Sequence, residues 1–294
     1  MRQALAQRAT LVASGHTFDI TVNLPPAALY DPRYAAATAA ALSVSKCPPR
    51  ALLLEILENA SEAEHALGSA VAGVLALKAL GVRVAEDDLG AGHSSLARLR
   101  QWPFDRVKID QTLVRDVAAD PLRTLRFIRQ LTLLGQALSI EVVVEGLETT
   151  GLVEAALLLG ADFGQGYALA RPCAAAALPE LLAQFHWSFD AHAPRTALGA
   201  LAATLLSEER LRGAADDPES WRRIAAAPCP VGAYLAHPAR HGAANITLIS
   251  AHVPCTAPCV RGRAARTIAR RARTSSKCWL RRCAPTEVAL ARAT

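Results

Sequence analysis

Val82-Arg83-Val84-Ala85-Glu86-Asp87-Asp88-Leu89-Gly90-Ala91-Gly92 is the stretch that decides the fold. Gly81 ends a helix, Arg83–Asp87 reads as a short strand, and a Gly-rich turn follows. The run therefore carries apolar residues up to a tip of two carboxylates. Neighbouring strand residues point to opposite faces, so Asp87 and Asp88 serve one site only if the strand ends between them. The glycines after them permit that bend.

The same signature recurs outward in both directions. Thr21-Val22 leads into Asn23, and Leu52-Leu53-Leu54 into Glu55. Val107 and Ile109 flank Lys108 and end at Asp110; Val142-Val143-Val144 ends at Glu145; Asp162-Phe163-Gly164 ends at Gln165. Short apolar runs of this kind read as buried parallel strands. Strands are expected at about Phe18–Leu24, Ala51–Glu55, Arg83–Asp87, Asp105–Ile109, Ile140–Glu145 and Phe163–Gln165.

Helical stretches alternate with them: Met1–Ala13, a run from Asp31-Pro32 to Val44, Ser61–Leu80, Ser94–Arg100, Pro121–Leu138, Glu148–Gly160 and Ala174–Phe185. Right-handed connection of such units gives a parallel sheet with helices outside. Closing a barrel takes about eight strands, so the expectation over residues 1–186 is an α/β fold of an incomplete TIM-type (β/α) barrel. Carboxylates on separate strand tips would gather at its mouth and make a site for a hard cation.

Hydrophobic residues make up 52% of the chain and aromatics only 5%. A core of Ala, Leu and Val suits layered helices and strands better than an aromatic-rich sandwich. The net charge of +6 is uneven: residues 241–294 hold ten Lys/Arg against Glu287 alone, and the remainder is acidic by three charges. Cys47, Cys173 and Cys229 stand isolated, which fits a reducing cytoplasm rather than a disulfide framework. Neither a secretory leader nor a membrane-spanning apolar stretch is expected.

In order and spacing these residues resemble the EAL-type cyclic-di-GMP phosphodiesterase domain of bacterial signal transduction: Val22-Asn23-Leu24, Glu55-Ile56-Leu57-Glu58, Asp87-Asp88-Leu89-Gly90-Ala91-Gly92-His93-Ser94-Ser95, Lys108-Ile109-Asp110, Glu145-Gly146-Leu147-Glu148, and Gln165-Gly166-Tyr167 with Arg171-Pro172. The resemblance implies hydrolysis of cyclic-di-GMP to pGpG with two Mg²⁺ or Mn²⁺ ions. It places Asn23 and Glu55 on the first metal, Asp87 between the two, and Asp88 on the second. Glu145 is implied as second-metal ligand and general base, and Lys108 as the group orienting the attacking water. Gln165 is implied near the metal water, with Glu58 and Glu148 bracing the loop Leu89–Ser95. A homodimer through helices near the fourth and fifth strands is also implied.

Three departures shape the expectation. No counterpart of the family's Glu-Ala-Leu strand is present, nor of an early substrate-binding Arg. The barrel is therefore expected to be N-terminally truncated, with one metal ligand missing and unpaired edges beside the gap. Such losses imply turnover lower by orders of magnitude. A catalytically inactive cyclic-di-GMP-binding or protein-interaction module is the competing expectation. Glu86 stands where the family has an apolar residue; facing the helix layer, a lone charge there would cost several kcal/mol, on the order of a buried unpaired group. Leu57 replaces a usual Thr.

Residues 187–240 read as a helical extension, with helices at about Arg195–Arg212, Pro218–Ala227 and Pro230–Ala236. Residues 241–294 read as a basic, disordered tail whose composition resembles translation in a shifted frame of a GC-rich gene. The spacings Cys255-x₃-Cys259 and Cys278-x₄-Cys283 are poor for a zinc ribbon. Nucleic acid is disfavoured as a partner, and its signature would be steep salt dependence.

Overall fold

The computed structural model describes residues 1–57, 67–90, 95–187, 194–227 and 229–236. Glu58, Ser61 at the start of the third expected helix, His93 and the basic tail lie outside the described residues. The chain divides into two compact units, residues 1–189 and 190–294.

In the first unit six parallel strands stand in chain order and form a curled half-barrel: β1 Ile20–Asn23, β2 Leu52–Leu57, β3 Arg83–Leu89, β4 Arg106–Ile109, β5 Glu141–Val144 and β6 Phe163–Gly164. Among the described residues β1 and β6 are the edges. The helices of this unit are α1 Arg2–Ala13, α2 Arg33–Ser45, α3 Leu67–Ala79, α4 Ser95–Gln101, α5 Thr112–Arg115, α6 Pro121–Leu138, α7 Thr150–Leu158 and α8 Leu178–Gln184. The expected alternation is present. The short α5 and the 3₁₀ turns Pro26–Leu29 and Pro49–Ala51 add to it; each is a single turn with no periodicity in the sequence.

Apolar runs become strands here because both faces are covered: Leu52, Leu53, Leu54 and Ile56 are at most 1% exposed. Helix ends follow local chemistry. The Asp120 carboxylate accepts from the Arg123 N–H at 3.0 Å and Pro121 opens α6, which runs to the left-handed Ser139. Thr149 caps α7 by accepting from the Leu152 N–H at 3.2 Å.

Near the amino ends of the strands, ionic contacts cross the sheet. Arg106 reaches Glu141 at 2.6 Å and lies 3.9 Å from the centre of the Phe163 ring, while Arg83 bridges Asp19 and Glu141. These contacts tie the lead-in to β1 with β3, β4, β5 and β6. Asp105 and Asp162 extend the ladder downward, accepting the N–H groups of Val84 and Val142 at 2.8 Å each.

The second unit contains α9 Ala197–Gly213, α10 Pro218–Ala225 and α11 Pro230–Leu235. Ala197 and Ala200 of α9 form a buried cluster with Val231, Tyr234 and Leu235 of α11. Among the described residues no helix is long and apolar enough to cross a membrane.

Candidate metal centre

The carboxyl ends of the strands carry the polar tips noted in the sequence. Asn23 closes β1 in register with Glu55, and Leu57 of β2 is in register with Asp87. Glu145 follows β5 directly, its N–H donating to the Ile109 carbonyl at 3.1 Å. Gln165 follows β6, donating its N–H to Val144 at 2.9 Å and accepting from the Leu147 N–H at 3.1 Å.

Lys108 stands at the centre. Its Nζ is 2.6 Å from Glu145 Oε1, 2.8 Å from Asp87 Oδ1 and 3.2 Å from Glu55 Oε1. One ammonium thus joins carboxylates from β2, β3 and the end of β5. Burial works against its charge, but the hydrogen bonds to Asp87 and Glu145 and the charge of Glu55 outweigh it and raise its pKa.

The acidic pair reaches this locus by a route the sequence did not suggest. β3 does not end between Asp87 and Asp88; it runs on to Leu89. Glu86 pairs with Val107 and Leu89 with Ile109, so three steps on β3 oppose two on β4. The extra residue is a β-bulge. Asp88 takes φ +60°, in the left-handed region that costs most residues about 1 kcal/mol. The bulge brings both carboxylates to one side. Oxygen atoms of Asp87, Asp88 and Glu145 all lie within 4.8 Å of one another.

Asp110, directly after β4, joins the same rim. It is buried, and its carboxylate accepts from the N–H of Thr112 at 2.8 Å and from the Thr112 hydroxyl. Burial would raise its pKa, but these bonds prevail and hold it below the usual carboxylate range. Its position at the end of the Lys108-Ile109-Asp110 run was the available signal. Asp88 is pushed the other way, by burial first and then by the charges of Asp87, Asp110 and Glu145. Glu55 is also raised, chiefly by burial, with Lys108 opposing.

Lys108 thus pairs with Glu55, Asp87 and Glu145, while Asp88 lies beside them and feels the charge of Asp110, so carboxylates outnumber ammonium groups at this rim among the described residues. An all-oxygen donor set with uncompensated negative charge suits a hard divalent cation. Asp87, Asp88 and Glu145 form the compact trio, and Glu55 joins it through Lys108. Asn23 and Gln165 are exposed at the two edge strands. Glu148 is exposed, its N–H closing a turn onto Gly146 at 2.8 Å.

Two glycines fix the rim. Gly146 has φ +68°. At Gly166 a Cβ would sit 2.3 Å from the Leu147 carbonyl oxygen and 2.4 Å from its nitrogen, so only glycine lets the segments after β5 and β6 meet. Glu86 is not a lone charge. It is fully buried, with Oε2 3.0 Å from Nη2 of Arg98 on α4.

Comparison with known proteins gives one family: the EAL domain matches residues 1–172. The cyclic di-GMP phosphodiesterase RocR of Pseudomonas aeruginosa is 35% identical over 170 residues, covering 58% of this chain and 43% of RocR. The chain thus spans less than half of that curated relative. Among solved structures, the EAL domain of Mycobacterium smegmatis DcpA aligns with TM-score 0.59 and 27% identity, over 64% of this chain and 83% of that one. The PaMucR phosphodiesterase in complex with c-di-GMP aligns with TM-score 0.55 and 29% identity, over 60% of this chain and 71% of that one.

Proposed function

The chain belongs to the EAL domain family, and from that premise we propose that it acts on cyclic-di-GMP, hydrolysing it to pGpG with two divalent cations, Mg²⁺ or Mn²⁺. The observation that carries this is the gathering of Glu55, Asp87, Asp88 and Glu145 around Lys108 at one rim. Asn23 and Glu55 would hold one cation, Asp88 and Glu145 the other, and Asp87 both. When bound, such a pair makes water a stronger nucleophile and offsets charge on the phosphodiester.

The protein's own groups do the rest. Glu145 takes the proton from the attacking water as general base. Lys108, held cationic by its partners, orients that water and faces the charge that develops on the phosphate. Gln165 would hydrogen-bond at the same rim. A cytoplasmic setting suits this substrate. Incubating the full chain with cyclic-di-GMP and Mn²⁺, and separating products by ion-exchange chromatography, tests the proposal. The expected result is pGpG, lost in Asp87→Asn.

Among the described residues β1 and β6 stand at the edges of the sheet, which favours a second reading, a binding or interaction module without turnover. Cyclic-di-GMP binding in Ca²⁺ by calorimetry, with no pGpG formed in Mn²⁺, would select it. A homodimer also belongs to the proposal. Phe127 and Leu138 of α6 are 46% and 41% exposed, and half-buried Leu131 and Leu134 complete a stripe at i, i+4, i+7 and i+11. Light scattering on Phe127→Glu should show monomer where the unaltered chain shows dimer.

A further inference from the structure

The back of β3 holds a bracket that the site chemistry does not use. Glu86 points away from Asp87, is 0% exposed, and meets Arg98, itself 4% exposed. The same guanidinium donates from Nη1 to the carbonyl oxygen of Leu57 at 3.2 Å. Its carbon lies 4.6 Å from the Trp102 ring centre and 5.9 Å from that of Phe104, and the two rings stack at 5.7 Å.

Arg98 therefore grips two strands from behind. Glu86 is the residue before Asp87, and Leu57 is the register partner of Asp87 on β2. That rung is where support is needed. On its other side β3 loses ladder pairing with β4 between Glu86 and Leu89, where the bulge sits. In front, Asp87 and Asp88 repel each other and their neighbours. A planar fork can hold a carboxylate and a carbonyl in fixed directions while stacking on an indole; a lysine cannot.

We propose that Arg98 is a positioning residue for the Asp87–Asp88 pair. It sets the end of β3 against the end of β2 through Glu86 and the Leu57 carbonyl, and so fixes where the two carboxylates meet a cation. The proposal rests on the metal reading above, and its test separates the two. The probe is Mn²⁺ alone, titrated into the full chain by calorimetry and followed by electron paramagnetic resonance. Unaltered protein that takes up no Mn²⁺ overturns the metal reading and this role together.

If it does bind, Arg98→Lys keeps a charge opposite Glu86 but loses the fork. The double variant Glu86→Leu with Arg98→Leu removes both charges and keeps an apolar filling. The expected result for each is a far-UV spectrum like the unaltered chain, Mn²⁺ affinity lower by about tenfold, and an exchange-coupled Mn²⁺ signal replaced by that of isolated ions. Should the double variant fail to fold, Arg98→Lys decides. Folded variants with a lower melting point but Mn²⁺ affinity within about twofold, and an unchanged coupled signal, would make Arg98 merely structural and sink the proposal.

Discussion

Replacing Lys108 by Met removes the ammonium shared by Glu55, Asp87 and Glu145. That ammonium sits 2.6, 2.8 and 3.2 Å from oxygens of Glu145, Asp87 and Glu55. Lys108 and its three partners are between 9% and 12% exposed, so solvent screens them little. A hydrogen bond to a charged group contributes about 1.5–3 kcal/mol, and breaking a buried pair costs about 3–5 kcal/mol because the partner charge is stranded. With hydrogen bonds to both Asp87 and Glu145 the first route gives about 3–6 kcal/mol, so both routes point to about 4 kcal/mol. In a unit of 189 residues, each kcal/mol moves the midpoint by about 2–4 °C, so Lys108→Met should melt about 8–16 °C below the unaltered chain in EDTA. Adding Mn²⁺ should then help the variant more than the parent. On the metal reading a bound ion would compete with the ammonium for the carboxylates of Asp87 and Glu145, and in the variant those groups would be free of the ammonium. Saturation at about 100 times Kd returns about 2.7 kcal/mol. Differential scanning fluorimetry with EDTA and with Mn²⁺ measures both quantities. A midpoint within about 2 °C of the parent in EDTA, or equal gains from Mn²⁺ in both proteins, would refute the idea that Lys108 stands in for cation charge.

Asp88→Asn should lower Mn²⁺ affinity by at least about tenfold, roughly 1.4 kcal/mol, as read by calorimetry. Without metal the same change should stabilise the protein at neutral pH. The folded-state pKa of Asp88 is raised, by burial first, so its contribution is full below the unfolded pKa and is lost as pH climbs through the folded one. Melting in EDTA should therefore show the parent falling relative to Asp88→Asn as pH rises from about 4, and Mn²⁺ should reverse that fall. Gly166→Ala should cost about 3 kcal/mol in urea unfolding, because its Cβ would lie 2.3 Å from the Leu147 carbonyl oxygen.

Much of the fold was legible along the chain. Leu52-Leu53-Leu54 and Val142-Val143-Val144 announce strands covered on both faces, and the polar residue after each marks where the strand leaves the core. The caps at Asp120 and Thr149 act within three residues of themselves, so α6 and α7 could be read locally. Glu55 and Glu145 stand out locally in the same way, as polar groups at the ends of apolar runs, and Lys108 as a charge between Val107 and Ile109.

What the sequence by itself determined, then, is everything that depends on neighbours within a few residues: six strand tips, their order, and the chemistry each presents. Tertiary structure alone decided how those tips share space. The bulge that turns Asp88 to the side of Asp87 exists only against the rungs of β4. Glu86 is tolerable only because Arg98 arrives on α4, twelve positions later, to meet it. Lys108 is a shared counter-ion only because β2, β3 and β5 curl toward it. Each is a distance between residues far apart in the chain, and electrostatic and packing energies depend on that distance rather than on residue type.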